Sequence, residues 1–413
     1  MRAMKDSGVE WIGEIPTDWR VSRVKNEFYS LDYKRIPVSA ENRENKIGLY
    51  DYYGASGIID KIDEYNVDEK VLLIGEDGAN LRMRNLPLIY RADGKFWVNN
   101  HAHILKVHET NNYNFMAHLL EAGDYEEYIT GTAQPKLSQA NLMCFPICIP
   151  PIAEQTAIAA YLDDKCAKID SIITVNERII AKLKEYKASL ITETVTKGLN
   201  PDAEMKDSDV EWIGEIPEAW GVVCLKYAGH FENGLTYSPN DITDGRGILV
   251  LRSSNIQSGQ LNFADCVYVS KVPEALMVKN NDIIICSRNG SADLVGKCAY
   301  VDKDIVATFG AFMMRYRATI FNRFAFHVLQ AAISYYKSLF TTSTINQLTI
   351  KTIRQMKIPL PPLAEQTAIA AYLDDKCSKI DNNIRLRESL IAKLAEYKKS
   401  LIYETVTGKK ETV

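Results

Sequence analysis

The longest regular pattern in the chain is an apolar seam through Leu162, Cys166, Ile169, Ile173, Ile180, Leu183, Tyr186 and Leu190. Steps of three and four follow the period of an α-helix, so the spacing predicts one long helix with an apolar stripe. Pro150 and Pro151 block helix upstream and suit a first turn, where Glu154 complements the helix dipole. Gly198 and Pro201 supply the stop. The pattern returns as Leu373, Cys377, Ile380, Ile384, Ile391, Leu394, Tyr397 and Leu401, ending near Gly408. Each helix is expected to span about 40 residues, roughly 60 Å. Alone it would expose its seam, so it needs a partner, and the obvious partner is its own copy. One seam position is polar in both copies, Asn176 and Arg387, and such a residue fixes register at some cost in stability. The alternative is two separate helices, each packed on its own globular domain.

Outside the helices the pattern shortens to period two. KVLLIGEDGANL (70–81), FWVNNHAHILKV (96–107), GILVLRSSNIQSG (247–259) and NDIIICSRNGSADLVGKCAYV (281–301) read as strands broken by Gly and Asn. Residues 112–130 read as an acidic helix, and a second helical stretch lies near 323–340. The predicted fold is α/β (α+β): two mixed α/β modules separated by two long antiparallel coiled-coil helices in a pseudo-twofold tandem repeat. The expected segments are 1–148 (opening motif and first module), 149–200 (first helix), 201–358 (linker, opening motif and second module) and 359–413 (second helix).

The repeat is explicit. MKDSGVEWIGEIPTDW (4–19) recurs as MKDSDVEWIGEIPEAW (205–220), with 13 of 16 positions identical. IPPIAEQTAIAAYLDDKCAKID (149–170) recurs as LPPLAEQTAIAAYLDDKCSKID (360–381), with 19 of 22 identical. The segments between, 20–148 and 221–358, share little beyond GTAQPKLS (131–138) opposite TSTINQLT (342–349). Uniform drift would not spare the connecting parts, so the layout points to two like-shaped modules with different ligands on one scaffold. If the helices pair, the first carries the chain to the second module and the other carries it back. They are then antiparallel, with one module at each end, as in a calliper.

Composition excludes several classes. With 46% apolar and 25% charged residues, the chain is neither disordered nor collagen-like. It has no apolar run long enough for a membrane span, and MRAMKDSGVEWIG lacks a secretory apolar region. Its 8 cysteines are expected to be reduced and mostly buried. No GxxxxGK[ST], GxGxxG after a strand, HExxH or Asn-Pro-Pro-aromatic sequence is present. Asp202, Glu204 and Lys206 crowd in a linker and make a poor nuclease site, and Cys144 with Cys148 lacks further zinc ligands. His101 and His103 would share a strand face and could bind metal, although a polar surface or nucleic-acid contact fits better. No catalytic, cofactor-binding or metal residues are assigned.

Polar and basic residues gather instead at the strand ends, where Arg and Asn are suited to guanine and adenine edges. The candidate DNA-binding residues of the first module are Ser56, Asn80, Arg82, Arg84, Asn99, Asn100, His101, Gln134 and Lys136. Those of the second are Arg252, Asn255, Ser287, Arg288, Asn289, Lys297, Asn346 and Gln347.

The repeated (I/L)PP(I/L)AEQTAIAAYLDDK element, the long helices and the preceding GTAQPKLS resemble the specificity subunit of Type I restriction-modification systems, over essentially the whole chain. The resemblance implies target recognition domains that each read one half of a split, asymmetric double-stranded DNA site. It implies helices that set the spacer and dock two methyltransferase (modification) subunits, with restriction/translocase subunits completing the complex. S-adenosylmethionine, ATP and Mg2+ would serve those partner subunits and no cofactor this chain. The location implied is cytoplasmic, without a membrane. An enzyme in its own right and a purely structural coiled-coil adaptor are the competing readings.

The net charge of -4 is unevenly placed. Residues 221–358 hold 15 Lys and Arg against 9 Asp and Glu, whereas residues 20–148 hold 15 against 18. The acidic stretch 121–127 would have to face away from DNA.

Overall fold

The computed structural model describes residues 2–44, 46, 48–337 and 346–411. The chain divides into two compact units, residues 1–176 with 389–413, and residues 177–388. The linear segments expected from sequence are therefore cut differently, because each unit takes half of each long helix.

Both units begin from the repeated motifs. In the first, Met4–Asp6 pairs with Glu14–Pro16, and Arg20–Arg23 pairs antiparallel with Pro146–Ile149, just before the helix Ile152–Lys197. In the second, Met205–Asp207 pairs with Glu215–Pro217, and Gly221–Cys224 with Lys357–Leu360, just before the helix Leu363–Val406. The Trp19 indole donates to Glu154 Oε2 at 3.0 Å, and Trp220 to Glu365 Oε2 at 2.9 Å. The next residue locks the module. Gln155 donates to the Pro150 carbonyl and accepts from Asn112 N (3.0 and 2.8 Å), and Gln366 donates to Pro361 O and accepts from Phe321 N (2.8 and 3.0 Å). The two repeated motifs are thus the two sides of one contact, which accounts for their joint preservation within the chain.

The helices run 46 and 44 residues, longer than the seam predicts, because Val195 and Val406 in the last turns are fully buried. Each ends at a left-handed glycine, Gly198 (φ +76°) and Gly408 (φ +74°). A Cβ at Gly408 would meet Pro16 Cδ at 2.4 Å, so only glycine fits there.

In the first unit Leu162, Cys166 and Ile169 share a core with Leu401 and Ile402, flanked by Ile173 and Leu394, and Lys398 holds Asp170 at 2.7 Å. In the second, Leu373 and Cys377 share a core with Ile191, flanked by Leu190, and Lys187 holds Asp381 at 2.7 Å. The paired stretches run in opposite directions in both. Ile180, Ile380 and Ile384 are buried, while Leu183 and Ile391 are half-buried. Asn176 is buried and donates to the Ile172 carbonyl at 2.8 Å; Arg387 is half-buried and donates to Asn383 Oδ1 at 2.9 Å. Tyr186 and Tyr397, expected in the seam, are 56% and 52% exposed. A run of three-residue steps drifts off the 3.6-residue turn, and the next residues, Lys187 and Lys398, take the pairing position.

Each module contains two four-stranded sheets, and the strand order of one of them matches between the modules. In the first, Phe28–Ser30, Ala102–Val107, Val71–Gly75 and Ile89–Ala92 form an antiparallel sheet. Gly229–Asn233, Met313–Ala318, Ile283–Cys286 and Cys298–Tyr300 repeat it in the second. Each other sheet contains one parallel pair, Tyr50–Gly54 with Lys95–Val98, and Ile248–Leu251 with Ala307–Phe309. The helix expected over 112–130 is shorter, Tyr113–Ala122. Gly123 stops it, and a side chain there would strike Phe145. The second module helix is Asn322–Tyr336.

Trp220→Ala should destabilise the second unit by about 3–5 kcal/mol in urea denaturation, the cost of emptying a large buried site. Glu365→Gln, which keeps an acceptor for the indole, should cost about 1 kcal/mol.

Candidate nucleic-acid interface

The central strands Val71–Gly75 and Ile283–Cys286 are buried along their whole length, as runs of branched apolar residues flanked on both sides require. Each chain leaves the core at a polar pair, Glu76-Asp77 or Ser287-Arg288. Two other segments meet it there. In the first unit Glu76 N donates to His101 O (2.8 Å), Leu137 N donates to Glu76 O (2.8 Å), and Asp77 bridges Lys136. In the second, Ser287 N donates to Phe312 O (2.9 Å), Leu348 N donates to Ser287 O (2.8 Å), and Arg288 bridges Gln347. The short likeness between GTAQPKLS and TSTINQLT is this return segment; residues 342–345 lie outside those described.

Six of the nine first-module candidates gather around this exit. Lys136 pairs with Glu76 at 2.9 Å, and His101 Nδ1 lies 2.7 Å from Asp77 Oδ2. Asn99 is buried and its Oδ1 accepts from His101 N at 2.8 Å, which shapes the turn. Asn100 and Gln134 are exposed. Ser56 is exposed at a hairpin tip, whose neighbouring Ala55 carbonyl would lie 2.6 Å from a Cβ on Gly75.

The other three work inside the module. Asn80 accepts from Leu86 N at 2.9 Å and donates to the Leu86 and Pro87 carbonyls. Arg84 donates to the carbonyls of Glu121 and Gly123 (3.2 and 2.6 Å) at the end of a helix, where a cation is favoured. Arg82 pairs with Glu126 at 3.0 Å and reaches Gly131 O. Two of the four acids in the acidic stretch are thereby engaged within the module. Glu126 is matched by Arg82, and Glu121 turns inward to accept from Leu88 N and Ile89 N, burial pushing its carboxyl up. His103 is not a surface residue like His101. It is buried between Asp32 Oδ2 (2.6 Å) and Leu137 O (2.8 Å).

In the second module the exit opens into a groove of about 1160 Å³. Tyr237, Arg252, Ser253, Arg288, Asn289 and Phe312 line it, and Asn346 reaches its edge. Arg252 pairs with Asp265 at 2.7 Å, Asn289 donates to Ser253 Oγ at 3.1 Å, and Asn346 donates to Gly290 O at 3.2 Å. Arg288 is exposed, its guanidinium 5.5 Å from the Phe312 ring centroid, and Gln347 is exposed beside it. Asn255 is a different case. It is fully buried, accepting from Arg252 N and donating to Asn262 O and Asp265 O, so it pins a loop. Ser287 is buried, and Lys297 is half-buried in a backbone turn whose carbonyl accepts from Cys286 N.

Sequence reasoning missed Asp77, Tyr237 and Phe312. The signal was available: an acid straight after a buried strand, and lone aromatics beside glycine in GLTY and GAFM.

A second repeated arrangement ties each module to a long helix. His118 Nε2 lies 2.8 Å from Asp163 Oδ1, with Arg91 on both, and His327 Nε2 lies 2.8 Å from Asp374 Oδ1, with Arg323 on the carboxylate. Burial holds both imidazoles below their usual range, more than the aspartates restore. Burial also penalises the two aspartates, but the His and Arg contacts outweigh it and hold them low.

Two measurements follow from this geometry. Asn255→Ala should cost about 1–3 kcal/mol by orphaning buried backbone groups, while Arg288→Ala leaves thermal stability unchanged. The folded imidazoles bind fewer protons than the unfolded ones, so their stabilisation is complete above pH about 6.5 and lost as pH falls. Melting temperatures across that range should fall on the acid side, and less so in His118→Gln/His327→Gln.

A family model described as the type I restriction modification DNA specificity domain matches residues 16–185 and again 217–395. The type I restriction enzyme MjaVIII specificity subunit of Methanocaldococcus jannaschii is 26% identical over 423 residues, covering 96% of this chain and 93% of that protein. A putative type I restriction enzyme specificity subunit of Haemophilus influenzae is 26% identical over 406 residues, covering 93% and 91%. A solved structure from work on assembly of the type I R-M system shares the fold, with TM-score 0.66 at 15% identity, covering 96% of this chain and 99% of that one.

Proposed function

This chain belongs to the type I restriction-modification DNA specificity family, and from that premise we propose how its parts divide the work. It is a non-catalytic DNA sequence-recognition subunit. Each module reads one half of a bipartite, asymmetric site in double-stranded DNA through the major groove, using the strand-exit rim and the groove beside it. The paired helices set the number of base pairs between the half-sites and dock two methyltransferase subunits. Those subunits use S-adenosylmethionine, and further restriction subunits use ATP and Mg2+.

The observation that carries this reading is one antiparallel sheet order and one set of strand-exit backbone contacts in both modules, with different side chains at the same rim positions. A shared backbone with changed side chains is what two readers of unlike sequences need, since base-edge contacts specify while backbone contacts position. Charge supports a division of labour with the partners. Phosphate neutralisation supplies most non-specific affinity, and a chain of net charge -4 brings little of it. The isolated chain therefore binds DNA weakly, and the assembled complex binds it well.

The methylation motif of cells carrying the complex tests the proposal. Exchanging residues 221–358 should change one half-site and leave the other intact. Inserting four residues, about one turn, into the repeated helices should lengthen the spacer with both half-sites unchanged. An altered half-site with an unaltered spacer would refute the assignment of spacing to the helices. The purified chain alone should neither methylate nor cut DNA, and turnover without partners would overturn the non-catalytic role.

A further inference from the structure

The two strand exits correspond position by position. Glu76, Asp77, His101, Lys136 and Leu137 of the first module stand where Ser287, Arg288, Phe312, Gln347 and Leu348 stand in the second, always 211 residues on. The backbone contacts at these positions are the same in both: the strand exit accepts one bond, donates another, and bridges the return segment. The side chains are not. At one position Asp77 is matched by Arg288, a full reversal of charge, and at the adjoining position a ring is kept but its chemistry changes from His101 to Phe312. Each charge lies beside its ring, Asp77 through the 2.7 Å contact to His101 Nδ1 and Arg288 with its guanidinium carbon 5.5 Å from the Phe312 ring centroid.

Resting on the DNA-reading role proposed above, we propose that this ring-and-charge pair determines base specificity in each module. Arg288 selects guanine in one half-site, and Asp77 selects cytosine in the other.

The state of each group fits such a role. Arg252, Arg315, Arg317 and Arg323 of the second module each pair with an acid. Arg288 is exposed on the groove and forms no ion pair among the described residues. Phe312 is 59% exposed, which leaves apolar surface in water until something covers it. An exposed guanidinium with no acid beside it is free to offer its fork to guanine O6 and N7 in the major groove. Asp77 has one carboxylate oxygen toward His101, leaving the other to accept from an amino group, as cytosine N4 offers. The neighbouring Lys136–Glu76 pair is a cation–acid contact that balances charge beside it.

The test uses the assembled methyltransferase complex on a random-sequence DNA library, with methylated sites read by sequencing. Arg288→Ala should relax a single guanine in one half-site, lowering discrimination there roughly ten- to a hundredfold, with the other half-site untouched. Arg288→Lys keeps the charge but not the fork, and it should relax the same base. Asp77→Asn should relax a cytosine in the opposite half-site and admit adenine, which pairs with an amide side chain. Full discrimination in Arg288→Lys would overturn the proposal by making Arg288 a simple charge contact. So would a uniform drop in methylation with the motif intact, or a change at a base other than G or C. A wild-type complex with no bipartite motif would instead sink the DNA-reading role itself.

Discussion

One contact, made twice, holds the rest in place: a carboxylate in the first turn of a long helix accepting an indole N–H from the opening motif, Glu154 from Trp19 and Glu365 from Trp220. The carboxylate is favoured there by the unsatisfied amides and the dipole of the helix N-terminus. Its neighbouring glutamine then fixes the backbone on both sides, so the start of the helix, the hairpin and the module become one body. The glycine closing the other long helix lies against the same tryptophan, with a Cβ position 3.2 Å from Trp19 at Gly408 and 3.0 Å from Trp220 at Gly198. A change on either side of this contact strands the other, and both sides are near copies in the two units. The units do differ at its edge. Arg2 and Asp18 pair beside Glu154, whereas alanines occupy the matching positions 203 and 219.

Recognition is built on the opposite principle. The sheets bury branched residues and demand only shape and apolarity, so their sequences diverge while the order of the antiparallel sheet stays. At the strand exits the backbone is tied by ladder bonds that use no side chains. The side chains are released from structural duty there, and Asp77 and Arg288 differ in sign without disturbing the fold. Where a polar side chain does carry structure, as with Asn255 or Arg84, it is inside and hydrogen-bonded to main chain. The distinction between a rim residue and a pinning residue is thus one of burial and partner, and both kinds come from the same residue types.

The helices, their ends, the tandem repeat and the mixed α/β class were legible in the chain itself. An apolar period of 3.6, a Pro-Pro start and a Gly stop are local signals that tertiary context rarely overrides over such lengths. The same local logic placed Tyr186 and Tyr397 inward and the acidic helix too far, because small phase errors and one steric clash at Gly123 are invisible to periodicity. Within the candidate rim, His101 and Arg288 lie at strand signals, and Lys136 and Gln347 lie in the short likeness between the two halves. Asn80, Arg82, Arg84 and Asn255 share those signals, yet Asn80 and Asn255 fold onto carbonyls of their own loops, and Arg82 and Arg84 onto groups distant in sequence.

By itself the sequence determined that this is a duplicated scaffold of two modules on two long helices, with the features of a DNA specificity subunit. Only the tertiary structure decided which side chains meet. It joined Asp77 to His101 and Arg288 to Phe312 across strands, and it brought Arg84 to the carbonyls of Glu121 and Gly123. The physical reason is separation along the chain: periodicity reports what a residue does within its own element, whereas hydrogen bonds and stacking between elements depend on a register that no local pattern encodes.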